Sequence, residues 1–159
     1  MALRGMVALL VVAAVAAAGC GRPEPPPEAR AGEAAPATVP CSPTYPDELS
    51  PSYRPDAPVR SVVGHGHVLA GTVLSSRDCA PVAGARVELW PEGPEGGHPD
   101  AARATVLAGP DGSYRFECDP TDHVHMRVSA PGFQVLATNR YHTEGRPAGT
   151  FEVVLAPEG

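Results

Sequence analysis

The chain has 159 residues, 43% of them hydrophobic, and a formal net charge of −6, which suits one domain of ordinary size with extensions. The acidic balance argues against nucleic acid as a partner, because phosphate binding needs a basic patch and the twelve arginines do not cluster into one. The chain contains no lysine, which excludes Schiff-base and lysine general-base chemistry.

The first twenty residues have the order of an export signal, with Arg4, an apolar run over residues 6–18, and then Gly19 and Cys20. The apolar run is too short to span a bilayer. Its ending resembles a bacterial lipobox, in which the cysteine is acylated and becomes the mature N-terminus. This resemblance implies a signal peptide over residues 1–20, lipidation of Cys20, and a membrane-anchored lipoprotein on the periplasmic side or the cell surface. Ordinary cleavage or a retained anchor is the alternative.

Residues 21–59 are rich in Pro, Ala and Glu and show neither helical nor strand periodicity. Proline-rich linkers stay extended and cannot pack a core. We therefore expect an extended, mostly disordered tether that holds a folded domain, residues 60–159, away from a membrane surface.

From about Arg60 onward, short apolar alternations are separated by Gly, Pro and Asp turns, most clearly at residues 109–112. No stretch indicates a long amphipathic helix, so the spacing predicts an all-β domain, an antiparallel β-sandwich of about seven strands. The predicted strands are residues 67–74, 85–90, 103–107, 113–118, 123–130, 134–138 and 150–155. The predicted core consists of Val73, Val87, Leu89, Val106, Tyr114, Phe116, Val124, Met126, Val128, Val135, Val153 and Leu155.

If Cys20 carries lipid, three cysteines remain in a compartment where disulfides persist, namely Cys41, Cys79 and Cys118. Since Cys79 and Cys118 both lie in the predicted folded segment, we expect a disulfide between them. The alternative, Cys41 with Cys79, would attach the tether to the domain. No two cysteines have the short spacing of a thiolate metal site.

The strand-like run from His123 to Val128 has two distinct faces. Its apolar residues form one alternate set, which predicts the side facing the core. His123 and His125 share the opposite face, where solvent or a cavity reaches them. Two imidazoles at this spacing can bind one metal ion, and a pair of solvated surface histidines is the alternative.

Five landmarks follow one another along residues 71–141. They are Gly71-Thr-Val-Leu74, the segment from Cys79 to Trp90, Asp111-Gly-Ser-Tyr-Arg-Phe116, His123-Val-His125 and Leu136-Ala-Thr-Asn-Arg-Tyr141. In order and spacing they resemble the intradiol ring-cleavage dioxygenases. Those enzymes are β-sandwiches that hold non-haem Fe(III) with two tyrosines and two histidines, and they insert both atoms of O₂ between the hydroxyl-bearing carbons of a catechol. The resemblance implies a prealbumin-like sandwich and, for an active enzyme, an oxidoreductase acting on small catechol-type aromatics.

The resemblance implies that His123 and His125 are metal ligands, because the family's His-x-His pair matches them residue for residue. The family's tyrosine ligands have no counterpart, since His98 stands at the place of the first and the loop at 119–122 contains no tyrosine. A site of histidines alone suits Cu(II), Zn(II) or Fe(II) by ligand type rather than the family's Fe(III). His142 could supply a fourth ligand if its strand folds back beside the pair.

Five further residues have less specific signals. Tyr141 and Asn139 are expected to support the site by packing or hydrogen bonding, and Trp90 is expected in the core at the end of its strand. His65 and His67 repeat the spacing of the histidine pair, but the glycines beside them favour a flexible lead-in over a second ligand pair.

These observations leave two classes of function open. The first is an exported lipoprotein whose intradiol dioxygenase-like domain binds one metal ion, with a degenerate or repurposed site because both tyrosine ligands are missing. The second is a non-catalytic transthyretin-like or carboxypeptidase-regulatory-like binding module, and a copper- or zinc-binding lipoprotein lies between them. The distances between side chains distinguish the two classes of function, because a working site needs His98, and preferably His142, within reach of His123 and His125. The sequence gives no signal for an oligomer interface.

Overall fold

The computed structural model describes residues 41–93 and 95–159. The predicted signal peptide, the lipidation of Cys20 and the tether over residues 21–40 lie outside the described residues. Within them, the chain forms eight β-strands and one short 3-10 helix, which confirms the all-β prediction. No helix in this part of the chain is long and apolar enough to cross a membrane.

The strands form two packed sheets. They are β1 (His67–Ser75), β2 (Arg86–Pro91), β3 (Ala104–Leu107), β4 (Ser113–Cys118), β5 (His123–Ser129), β6 (Leu136–His142), β7 (Ala148–Thr150) and β8 (Val153–Leu155), and the 3-10 turn Asp100–Ala102 precedes β3. One sheet has the order β4-β1-β7, with β8 also paired to β1, and the other has the order β3-β2-β5-β6. The pairings of β1 with β7 and with β8 are parallel, whereas we expected an antiparallel sandwich throughout. The predicted last strand is in fact two, because β7 and β8 pair with different halves of β1.

The core lies between the two sheets, with Phe116, Leu89 and Met126 fully buried. Every predicted core residue is buried except Val135, which is 53% exposed. Its neighbour Leu136 takes the core position, because β6 begins there and pairs it with a buried residue of β5. Side chains alternate along a strand, so a start misplaced by one residue exchanges the two faces.

Residues 41–60, here called the covering segment, first run beside β8 and then cross the outer face of the β3-β2-β5-β6 sheet. The backbone N–H of Asp47 donates to the Ala137 carbonyl at 2.9 Å on β6, and Val59 forms a parallel bridge with Thr105 on β3. The expectation of a disordered tether is therefore wrong for residues 41–59. The segment contacts the sheet at separate points instead of pairing as a continuous strand, which is why it has no sequence periodicity.

The covering segment begins at a disulfide between Cys41 and Cys79, whose Cα atoms are 5.5 Å apart. The expected bridge between Cys79 and Cys118 is therefore wrong, and the alternative that attaches the tether to the domain is the one observed. Cys118 is a free thiol on β4, 1% exposed and packed in the core. Cys41 reaches the turn after β1 because the covering segment follows β8, where the N–H of Thr44 donates to the Val154 carbonyl at 2.9 Å.

Candidate metal centre

His123 and His125 lie on the outer face of β5, as the alternation predicts. The intervening Val124 and the following Met126 are fully buried on the core side. The Nε2 atoms of the two histidines are 3.1 Å apart, and their ring centroids are separated by 4.8 Å. A strand therefore supplies two imidazoles whose nitrogens converge on one point.

His98 joins this pair from the loop that follows β2. The loop reverses direction where the N–H of Gly93 donates to the Gly97 carbonyl at 2.8 Å. The ring centroid of His98 then lies 4.6 Å from that of His125 and 6.0 Å from that of His123. One potential ligand atom from each of the three imidazoles lies within 4.8 Å of the other two. We call these three residues the histidine trio.

Two of the trio have their Nδ1 atoms engaged away from the centre. His98 Nδ1 lies 3.2 Å from the Pro91 carbonyl, and His123 Nδ1 lies 3.4 Å from a carboxylate oxygen of Glu92. An imidazole that donates through Nδ1 presents the Nε2 lone pair, and such partners orient histidines that bind metals. Our sequence reasoning missed Glu92, because its place beside His123 depends on the register of β2 against β5.

Arg103 fixes the loop that carries His98. Its guanidinium donates to the His98 carbonyl at 3.0 Å and to the carboxylate of Asp100 at 2.9 Å, and the residue is 5% exposed. The Arg103 carbonyl in turn accepts hydrogen bonds from the guanidinium of Arg60, at the end of the covering segment. The loop that carries the third imidazole is thus held by hydrogen bonds around a buried arginine.

The electrostatics of the site keep His125 uncharged. Its pKa is lowered to about 4, mainly by burial and in addition by the neighbouring His98 and His123. A neutral imidazole is the form that binds a metal ion. At neutral pH the ring of His125 therefore has a lone pair ready for a ligand bond.

Trp90 forms the wall behind His125. The two residues are partners in the pairing of β2 with β5, and their rings are 9° from parallel with centroids 5.7 Å apart. Trp90 is buried as predicted, but it lies on the outer face of the sheet, where the ring of Tyr53 packs on it at 5.3 Å. The covering segment therefore closes one side of the histidine trio.

The structure places the other predicted site residues differently. His142 lies opposite His123 on β6 with ring centroids 6.0 Å apart, but it is exposed and outside the trio. The backbone N–H of Asn139 donates to Asp47, and the hydroxyl of Tyr141 pairs with a different histidine. Tyr141 is thus a buried core residue, which agrees with the packing role among its expected roles, while the hydrogen bonds of Tyr141 and Asn139 are made to groups outside the trio.

His65 and His67 do not form a second ligand pair. His67 is 1% exposed, with Nδ1 2.6 Å from the Arg146 carbonyl and Nε2 2.7 Å from the hydroxyl of Tyr141. His65 is exposed, and its Nδ1 lies 2.9 Å from the carboxylate of Glu117. His67 is a buried histidine with both ring nitrogens bonded inside the fold, so it is not a flexible lead-in either.

All four tyrosines of the chain lie in the described part, and each is engaged outside the trio. The hydroxyls of Tyr53, Tyr114 and Tyr141 bond to Glu88, to the Phe151 carbonyl and to His67, respectively. The ring of Tyr45 lies against the guanidinium of Arg140, 5.0 Å from its central carbon.

Solved structures similar to this chain are dioxygenases. The dioxygenase domain of a dioxygenase carbohydrate-binding protein fusion from Streptomyces sp. SirexAA-E is 25% identical, with a TM-score of 0.61 over 74% of this chain and 100% of that one. 3-Chlorocatechol 1,2-dioxygenase from Rhodococcus opacus 1CP is 13% identical, with a TM-score of 0.63 over 72% of this chain and 73% of that one. The domain is intradiol dioxygenase-like. Hydroxyquinol 1,2-dioxygenase from Pseudomonas putida DLL-E4 is 16% identical, with a TM-score of 0.54 over 77% of this chain and 68% of that one.

No protein-family model matches the chain, and no curated protein sequence does. The intradiol dioxygenase-like domain is thus identified by its fold and by the placement of its residues. Its His-x-His pair is on a strand of the sandwich, as the resemblance implies, and His98 lies beside it.

Proposed function

We propose that this chain is an exported, lipid-anchored protein whose intradiol dioxygenase-like domain holds one copper or zinc ion through His98, His123 and His125. The observation that carries the proposal is the convergence of three imidazole ligand atoms, from a loop and a strand, within 4.8 Å of one another. Metal–imidazole bonds of zinc are about 2.0–2.1 Å long, so two Nε2 atoms 3.1 Å apart can bind the same ion. Imidazole is a preferred donor for both metals.

The trio does not fit Fe(III), the ion that the resemblance implies. The family stabilises that ion with two phenolates, whereas three neutral imidazoles contribute no negative charge. The carboxylate of Glu92 faces Nδ1 of His123 and not the convergent side. The hydroxyls of Tyr53, Tyr114 and Tyr141 are bonded elsewhere. We therefore derive no ring-cleavage step for this site.

One side of His98 is open to a small ligand. His123 is 24% exposed in its side chain, and a pocket of about 400 Å³ opens next to His98, lined also by Gly93, Glu95, Gly96 and Pro99. The bound ion would act as a Lewis acid towards an oxygen donor, while the trio orients it and Trp90 excludes water from one side. A catechol-type aromatic is the class of ligand we propose for this pocket, because its two adjacent oxygens can chelate.

Export is supported by the disulfide. Cys41 and Cys79 are bonded, and disulfides persist in oxidising compartments rather than in a reducing cytosol. The signal-like start of the chain and the lipobox-like Cys20 point the same way. The covering segment would then connect the lipid anchor to the sandwich at its disulfide.

A non-catalytic binding module on the same sandwich is the competing function. That module would need no convergence of histidines, and His98 would have no reason to lie near the pair on β5. The 4.6 Å separation between the rings of His98 and His125 favours the metal centre.

Elemental analysis of the untagged full chain tests the proposal. We expect about one copper or zinc per chain, no phenolate-to-iron absorption band, and loss of the metal in the double variant His123→Ala, His125→Ala. The control is His65→Ala, which removes an exposed histidine outside the trio. Iron with a phenolate band and oxygen uptake on catechol would contradict the proposal and favour a working dioxygenase. No bound metal in the wild-type protein would favour the binding module.

A further inference from the structure

Three aromatic rings form a row from the histidine trio to the surface. His125 is followed by Trp90, whose ring is nearly parallel to the imidazole at 5.7 Å, and then by Tyr53 at 5.3 Å from the indole. Trp90 is 3% exposed, whereas Tyr53 is half-buried and reaches solvent. Tryptophan and tyrosine are the aromatic side chains that most readily give up one electron, so the row joins a candidate metal ligand to solvent through oxidisable rings.

Hydrogen bonds determine where an electron vacancy on this row would settle. An oxidised phenol is a strong acid and is stabilised when a base accepts its proton. The hydroxyl of Tyr53 donates to a carboxylate oxygen of Glu88 at 3.2 Å, and Glu88 is 3% exposed. In contrast, the indole N–H of Trp90 is buried and has no acceptor among the described residues. Proton transfer is therefore open to Tyr53 and closed to Trp90.

The surroundings of Glu88 suit a proton acceptor that stays in place. Its second carboxylate oxygen accepts a hydrogen bond from Arg127 at 2.5 Å, and the Arg127 guanidinium also lies 5.5 Å from the centre of the Tyr53 ring. Burial raises the pKa of the Tyr53 hydroxyl, and the charge of Glu88 raises it further. The phenol therefore keeps its proton until the ring is oxidised.

We propose that Trp90 and Tyr53 form a one-electron relay between the histidine trio and the surface, with Glu88 as the acceptor of the Tyr53 proton. The relay rests on the proposed function, with copper as the ion. The oxidant is hydrogen peroxide, whose O–O bond breaks when it takes up two electrons and two solvent protons to give two molecules of water. One electron comes from copper(I), which becomes copper(II), and the other comes from Tyr53 through Trp90. The phenol proton moves to Glu88. A one-electron donor in solution then reduces the Tyr53 radical at its exposed edge.

The relay protects the histidine ligands from oxidation at the metal site that they form. Without it, the second oxidising equivalent would stay at the trio, where the imidazoles are the nearest groups to oxidise. With it, the equivalent moves to a ring that solvent reaches. The covering segment therefore contributes a redox group, Tyr53, besides the packing that it supplies to Trp90.

The experiment uses the full chain loaded with copper, its stoichiometry measured, then reduced and mixed with hydrogen peroxide. Samples are frozen within milliseconds for electron paramagnetic resonance, and the products are mapped by peptide mass spectrometry. We expect a tyrosyl radical signal in the wild-type protein and its loss in Tyr53→Phe, which keeps the ring and removes the hydroxyl. Added oxygen should then appear on Trp90. Trp90→Phe should lose the tyrosyl signal and increase oxidation of His125.

Two further variants separate the relay from general damage. Tyr45→Phe is the matched control, because Tyr45 is also on the covering segment but packs on Arg140, and it should keep the full signal. Glu88→Gln removes the proton acceptor with little change of shape and should reduce the radical yield several-fold. A tyrosyl signal that survives in Tyr53→Phe, or that is unchanged in Trp90→Phe, overturns the relay. If the chain takes up neither copper nor zinc, the proposed function fails and the relay with it. Zinc bound to the exclusion of copper, or copper bound by the trio without any tyrosyl signal, overturns the relay alone.

Discussion

Trp90 and His125 are partners in the pairing of β2 with β5, and their rings stack 9° from parallel. This relationship links the three parts of the site. The strand register sets Trp90 beside His125, the covering segment packs Tyr53 on Trp90, and the burial of His125 lowers its pKa. The metal centre therefore depends on both the sheet and the covering segment.

Replacing Glu92 by glutamine should weaken metal binding while leaving the three imidazoles in place. The carboxylate near Nδ1 of His123 orients the ring and increases its basicity, and the loss of such a partner lowers metal affinity by about 10–100-fold. Competition titration with a chelating indicator measures the effect. Glu95→Gln, an exposed glutamate of the same loop, is the control and should bind as the wild-type protein does. Equal affinities of the two variants would argue against the orienting role.

The metal-free protein should lose stability on mild acidification because of His125. Its pKa is 6.5 in the unfolded reference and about 4 in the fold, so the unfolded chain binds more protons between these values. The free energy of unfolding therefore falls as the pH drops from about 6.5 towards 4, and this contribution levels off below that. Urea unfolding across this range should show a smaller pH dependence for His125→Gln than for His142→Gln, whose histidine is exposed. Identical pH profiles of the two variants would contradict the assignment.

Removing the Cys41 to Cys79 disulfide should destabilise the fold through the covering segment. The bridge closes a loop with a sequence separation of 38 residues, and replacing both cysteines by alanine should cost about 2–4 kcal/mol. Chemical denaturation measures the loss, with Ser42→Ala as the neighbouring control.

Burial raises the pKa of the Cys118 thiol to about 11, so thiol reagents should label native wild-type protein only after unfolding. Rapid labelling of the native protein would mean that Cys118 is not in the core.

An alanine at Gly149 should disturb the buried contact between Tyr141 and His67. An added Cβ would overlap the hydroxyl oxygen of Tyr141, which is bonded to His67 Nε2 at 2.7 Å. Overpacking of this kind costs about 1–3 kcal/mol. In the double variant with Tyr141→Phe the overlap disappears, so the two changes together should destabilise less than the sum of their separate effects. Strict additivity of the two changes would show that the side chains do not meet.

The sequence was most informative where one element determines the outcome. The alternation in β5 places His123 and His125 on the outer face and the valines and methionine in the core, because side-chain direction along a strand is a local property. The order of landmarks likewise predicted that His98 lies near the pair, since His98 is only a short distance from Trp90 along the chain. The error at Val135 and Leu136 is local too, a strand start misplaced by one residue.

Contacts between segments far apart in the chain could not be predicted from the sequence in the same way. Cys41 meets Cys79, and Tyr53 covers Trp90, only because residues 41–60 fold across the sheet through isolated hydrogen bonds that leave no periodic pattern. The role of Glu92 depends on a register between two strands, which sequence alone does not give. These missed contacts are the ones that turn a pair of histidines into an enclosed site.

X-ray absorption spectroscopy of the metal-loaded full chain would decide whether the histidine trio binds the ion, because it counts the imidazoles bound to the ion. We expect three imidazoles in the wild-type protein, two in His98→Ala, and three in His142→Ala. Two imidazoles in the wild-type protein with no change in His98→Ala, or a phenolate oxygen among the ligands, would contradict a centre built from His98, His123 and His125.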